Sequence, residues 1–103
     1  MKFRHIQVEP MTPTIGGMIS GVDLNTTRSE DVYEEIKQAL WQYGVVFFRK
    51  QALKPEAYIR LGANFGEMEQ HEFFPHIAGH PQIQLISNEG NEAPETDRWH
   101  TDV

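Results

Sequence analysis

The stretch Ser29-Glu30-Asp31-Val32-Tyr33-Glu34-Glu35-Ile36-Lys37-Gln38-Ala39-Leu40-Trp41-Gln42-Tyr43-Gly44-Val45-Val46-Phe47-Phe48-Arg49-Lys50 carries the strongest structural signal in the chain. Ser29 suits an N-cap, and Glu30 and Asp31 meet the positive end of a helix dipole. Val32, Ile36, Ala39, Leu40 and Tyr43 recur at spacings of three and four, the signature of an amphipathic helix. Gly44 stands where a left-handed residue ends such a helix. The apolar run 45–48 that follows, closed by Arg49 and Lys50, predicts a short central strand buried on both faces. Tyr33, Trp41 and Tyr43 are expected to pack the helix against the sheet.

Outward from this unit the signals weaken. Pro55 suits the first turn of a second helix, with Ile59, Leu61 and Phe65 as its apolar side and Gly66 as its end. Upstream, residues 16–24 place small residues around two short apolar pairs, which predicts a strand with a bend. Those glycines lack the G-x-G-x-x-G and Gly-Lys-Ser/Thr spacings of phosphate loops. Residues 3–8, ending at Pro10, read as a short strand before a loop over residues 11–14. Downstream, residues 67–79 lose periodicity and concentrate His71, Phe73, Phe74, Pro75 and His76, the composition of a site-bearing loop. Residues 83–86 read as a further strand, and residues 88–97 as a polar loop whose four acids are explained by solvation. Two helices thus flank one strand in an α+β arrangement.

Composition limits what such a chain can do. Its 103 residues point to one small domain, and 39% hydrophobic with 11% aromatic residues is enough to build a core. Nine Lys and Arg against 15 Asp and Glu give a net charge of -6, with the basic residues scattered. That excludes the basic face needed for nucleic acid or an anionic membrane. With no Cys, any metal must be held by nitrogen and oxygen. The longest apolar run is four residues, and the N-terminal residues 1–5 lack the apolar core of a secretory signal. A cytoplasmic protein is expected.

His100 and Asp102 lie two apart, so on an extended strand an imidazole and a carboxylate face the same side. With one further His, such a pair completes the two-His, one-carboxylate triad that holds Fe(II) with open positions. The same pair also suits a plain surface contact at a strand end. His76 and His80 have the i, i+4 spacing of a helical metal pair, but Pro75 and Pro81 bracket them and argue against a helix. Trp99 is expected to anchor the core through its indole.

Several collinear segments resemble the taurine/2-oxoglutarate dioxygenase family. They are Ile15-Gly16-Gly17-Met18-Ile19-Ser20-Gly21-Val22-Asp23-Leu24, Val45-Val46-Phe47-Phe48-Arg49-Lys50-Gln51 followed by Pro55, Phe65-Gly66-Glu67, and Trp99-His100-Thr101-Asp102-Val103. The resemblance covers nearly the whole chain. It implies the N-terminal part of a double-stranded β-helix, or jelly roll, and an enzyme using Fe(II) with 2-oxoglutarate as cosubstrate. Such an enzyme couples O2 to hydroxylation of a small organic acid, a sulfonate such as taurine being the leading class.

On that resemblance His100 and Asp102 match the first two iron ligands, and Val103 matches a substrate-pocket position. His71 stands where sulfonate-specific members contact substrate through a His. Phe74 falls where those members use a Tyr, removing one hydroxyl contact. Thr96 falls where they carry an Asn beside cosubstrate and substrate. The third ligand, a His, and the Arg that pairs with 2-oxoglutarate would lie downstream of Val103. This chain alone is therefore expected to be inactive. A rival expectation is a non-catalytic interaction module of the same fold, whose unpaired strand edges invite homo-oligomers.

Overall fold

In a computed structural model, residues 2–68, 75–84 and 99 of the chain are described. The chain divides into two compact units, residues 1–69 and 70–103. The first unit contains β1 (Gln7–Pro10), β2 (Gly17–Ser20), α1 (Glu30–Tyr43), β3 (Val46–Phe48) and α2 (Pro55–Ala63).

The helix read from the sequence forms as α1. Ser29 has the extended conformation of an N-cap, although its hydroxyl makes no cap hydrogen bond. At the other end Gly44 takes φ +80° and its N–H donates to the Leu40 carbonyl at 2.8 Å, ending the helix where glycine removes the Cβ clash. Val32, Tyr33, Ile36 and Ala39 are buried. They join Ile6, Ile19 and Leu24 in one core between α1 and the sheet.

Trp41 is 72% exposed, against expectation. At about 100° per residue it lies on the side of α1 opposite Ala39, away from the sheet. The tyrosines behave as expected. Tyr33 is buried and its hydroxyl donates to the Thr27 carbonyl at 3.1 Å, while the Tyr43 ring covers Gly17.

The sheet order is β1-β2-β3, with β1 antiparallel and β3 parallel to β2. Among the described residues β2 is the strand paired on both sides, while β3, expected to be central, pairs on one side, with β2, and leaves Phe47 45% exposed rather than buried. Apolar content alone does not tell a strand which neighbours it will have. Cross-strand register places Val8, Ile19 and Phe48 in one row, and Pro10, Gly17 and Val46 in another, both on the core face. The row Glu9, Met18, Phe47 occupies the opposite face.

β1 begins later than the sequence suggests. The Glu35 carboxylate accepts the backbone N–H groups of Arg4 at 2.6 Å and His5 at 3.0 Å, and lies 3.6 Å from the His5 imidazole. Those amides are thus committed to α1 rather than to a strand ladder. α2 begins at Pro55 as expected, but it ends at Ala63, before Phe65 and Gly66. The Asn64 side chain donates to the Arg60 carbonyl at 2.8 Å, occupying the last turn, and Phe65 beyond it is 48% exposed. Ala57 is the buried residue of α2, and Leu61 packs partly on the core.

Two side-chain amides fasten the segment after β2 to the segment after β3. Gln51 accepts the Leu24 N–H through Oε1 and donates from Nε2 to the Val22 carbonyl, each at 3.0 Å. Asn25 reciprocates, donating to the Ala52 carbonyl and accepting the Lys54 N–H, each at 2.9 Å. These bonds copy the two-point pattern of a strand ladder where no ladder continues. Lys50, at φ +57°, is the non-glycine residue in the left-handed region immediately before Gln51.

In the second unit the described residues form a hairpin, β4 (His76–Ile77) and β5 (His80–Gln84), joined through Ala78 and Gly79 at φ +80°. Within the loop expected over 67–79 the chain forms β4, and β5 begins at His80 rather than at 83, while residues 69–74, 85 and 86 of those two expectations, and the polar loop over 88–97, lie outside the described residues. Pro81 within β5 rules out the helical pairing of His76 and His80, as expected.

Candidate functional site

Every residue singled out from the sequence for chemistry, namely His71, Phe74, Thr96, His100, Asp102 and Val103, lies outside the described residues. The described parts show what stands before them. α2 runs into Asn64, Phe65 and Gly66, five residues before His71, and β5 closes at Gln84. Trp99, next to His100, is fully exposed at 105%. The expectation of a buried indole anchor is thereby corrected, because no described side chain covers it.

The described imidazoles are engaged locally. His5 faces Glu35, and the His76 Nδ1 lies 2.9 Å from the Ile77 carbonyl oxygen. Among the described residues no group of three or more His, Asp or Glu could hold a metal ion. None of them is a buried polar or charged residue. Arg49 and Lys50, which follow β3, are exposed. Among the described residues no helix is long and apolar enough to cross a membrane. What unit 1 offers is a scaffold, fastened by Gln51 and Asn25. Sequence patterning gives neither residue this role, although Gln51 closes one of the family-like segments; a side-chain amide next to the turn at Lys50 is the available signal.

Comparison with known proteins supplies the rest. The family described as "Taurine catabolism dioxygenase TauD, TfdA family" matches residues 7–103, a span that includes the His100-x-Asp102 pair. An alpha-ketoglutarate-dependent sulfate ester dioxygenase of Pseudomonas putida is 30% identical over 99 residues, covering 95% of this chain and 32% of that protein. A solved taurine dioxygenase from Burkholderia xenovorans superposes with a TM-score of 0.68 at 39% identity, over 76% of this chain and 28% of its own. The solved structure of AAD-2 in complex with Mn(II) and N-oxalylglycine gives a TM-score of 0.58 at 25% identity, over 61% of this chain and 25% of its own. The chain spans about a third of the length of the sulfate ester dioxygenase it matches. With a family match running from β1 through the H-x-D motif, the chain belongs to the TauD/TfdA family of taurine catabolism dioxygenases.

Proposed function

We propose that this chain forms the N-terminal part of an Fe(II)- and 2-oxoglutarate-dependent dioxygenase acting on a small organic acid that bears a sulfonate or sulfate group. The observation that carries the proposal is the family match over residues 7–103; by the resemblance, His100 and Asp102 would be two members of a two-His, one-carboxylate donor set. The donor chemistry fits: a neutral imidazole and a carboxylate suit a hard-to-borderline divalent ion, and a chain without cysteine offers no competing thiolate. N-oxalylglycine, bound with Mn(II) in AAD-2, differs from 2-oxoglutarate by one NH in place of a methylene, which supports the same cosubstrate here.

In this reading His100 and Asp102 supply two of the protein donors to iron. The His71 imidazole sits near the anionic head of the substrate, where it can donate a hydrogen bond to a sulfonyl oxygen. Phe74 and Val103 add apolar wall and Thr96 a hydroxyl. The bound metal would supply activation of O2, and the balanced reaction is R–H + 2-oxoglutarate + O2 → R–OH + succinate + CO2. The third ligand and the Arg that pairs with the cosubstrate belong, by the resemblance, to positions beyond 103.

Anaerobic Fe(II) titration of the purified chain tests the assignment. The expected result is weak binding that is lost in both His100→Ala and Asp102→Ala, without succinate release. Unchanged Fe(II) binding in either variant would overturn the ligand assignment. Succinate formation by this chain alone would overturn the placing of the remaining donors beyond it.

A further inference from the structure

After α2 the chain turns back on the helix it has just left. The Asn64 N–H donates to the Leu61 carbonyl at 3.2 Å and the Phe65 N–H to the Gly62 carbonyl at 3.0 Å, closing the turn. Met68 then returns, and its side chain lies against the α2 backbone at Gly62. A Cβ added at Gly62 would stand 2.8 Å from Met68 Sδ and 3.1 Å from its methyl carbon, so the thioether occupies space that any other residue at 62 would claim. The contact is made by the sulfur and the methyl group themselves. Met11 differs, meeting Gly16 through Cβ and Cγ while 46% exposed. Met68 is half-buried, which leaves part of it open to solvent.

We infer that Met68 is a modification site for hydroperoxides, and that its sulfoxide releases residues 66–68 from α2. In the step the sulfur bonds to one peroxide oxygen, the O–O bond breaks and the other oxygen leaves as water: R–S–CH3 + H2O2 → R–S(O)–CH3 + H2O. Sulfur loses two electrons and the peroxide gains them. The thioether holds the segment by apolar packing, whereas the sulfoxide carries a strong hydrogen-bond acceptor. Gly62 has no side chain to meet that oxygen, and its N–H belongs to the helix ladder. Hydration therefore draws the oxidised side chain off the helix. Methionine sulfoxide reductases remove the oxygen, so the release is reversible. Met68 stands three positions before His71 in sequence, yet the inference rests on neither the substrate nor the iron reading.

The test uses the full chain with methyl-labelled methionine and hydrogen peroxide as the probe. Mass spectrometry locates each added oxygen. The NOE between the Met68 methyl and the Gly62 α-protons reads the contact, and a glutamate-specific protease reads access to the bond after the exposed Glu67. Peroxide is expected to oxidise Met68, erase the NOE and speed cleavage after Glu67 by roughly fivefold or more, through local opening. Methionine sulfoxide reductases should restore both readings. Met68→Leu should keep the slow cleavage and lose the response to peroxide. Gly62→Ala should cleave fast before any peroxide is added, with the helical circular dichroism of the native chain. Met11→Leu should respond as the native chain does. An unmodified Met68 where Met11 is fully oxidised, an NOE and cleavage rate that survive sulfoxide formation, or a response that persists in Met68→Leu would each overturn the inference.

Discussion

β1 and β3 flank the same central strand, yet they solve the edge problem in opposite ways. β1 turns Gln7 and Glu9 to the open face, and of the two residues on the core side Val8 packs on the core while Pro10 stays exposed at the strand's end. β3 presents an aromatic ring to solvent and holds its core residues, Val46 and Phe48, on either side of it. A polar, proline-ended edge terminates a sheet, whereas an apolar one invites continuation. The difference teaches that, among the described residues, the sheet is finished at β1 and unpaired beyond β3, although both strands take their register from β2, β1 along Gly17–Ser20 and β3 along Gly17, Met18 and Ile19.

The shared strand is where the two edges can be broken together. Ile19 is 2% exposed and pairs with Val8 on one side and Phe48 on the other. Ile19→Ala is expected to lower unfolding free energy by about 2–5 kcal/mol, through lost apolar contact and the cavity left in the core. Urea denaturation followed by circular dichroism would measure it. In a small unit of marginal stability this can abolish the folded state altogether. A loss under 1 kcal/mol would mean that the row Val8, Ile19, Phe48 is not the core of the sheet.

Gly17 tests the same strand by addition. A Cβ there would lie 3.0 Å from the Tyr43 ring and 3.1 Å from Val8, and Gly17 pairs with Pro10 and Val46. Gly17→Ala should therefore destabilise by about 1–3 kcal/mol through overpacking, despite alanine's smaller conformational entropy loss on folding. Substituting Tyr43→Leu in the same chain should recover part of that loss, since the ring is the main obstacle. Non-additivity in this double-mutant cycle is the expected signature.

Fastening differs between the two sides as well. Gln51 makes two 3.0 Å hydrogen bonds to the β2-side backbone, in a partly buried setting, whereas the Ser20 hydroxyl meets Gln7 at 3.4 Å in the open. Gln51→Ala should cost about 1–2 kcal/mol, because the Leu24 N–H and Val22 carbonyl lose their partner. Ser20→Ala should fall within about 0.5 kcal/mol of the native chain. Equal effects would erase the distinction between a pinned side and a free one.

Much of this was legible before any coordinates, and the exceptions share a cause. α1 could be read because Ser29, the three-and-four apolar spacing and Gly44 all report local backbone geometry. The end of α2 could not, since Phe65 continued the apolar pattern while the Asn64 side chain had already taken the last-turn carbonyl of Arg60. β3 is visible as a strand, but the expected burial on both faces is not met among the described residues, where Phe47 is 45% exposed, because a run such as Val45-Val46-Phe47-Phe48 records apolar content and not which chain segment covers it. The Glu35 contacts that delay β1 depend on two residues about thirty positions apart, beyond any local pattern. For the site, the H-x-D pair was readable from spacing and family resemblance alone, and all six site residues fall outside the described structure.

The smallest expected effect on stability is also the sharpest test of the two edges. Phe47→Thr exchanges an exposed ring for a β-favouring polar residue, so unfolding free energy should move by no more than about 0.5 kcal/mol. Self-association should fall, because the apolar surface beside the open edge shrinks. The mirror change, Glu9→Val with Pro10→Val, gives β1 an apolar sequence and restores its missing N–H, which should raise association with little change in stability. Sedimentation velocity over a concentration series distinguishes the cases. If association rises for the β1 variant and falls for Phe47→Thr, edge chemistry decides how this sheet meets other strands. If neither variant moves it, the exposed ring on β3 has no role at that edge, and the difference between the strands is one of composition alone.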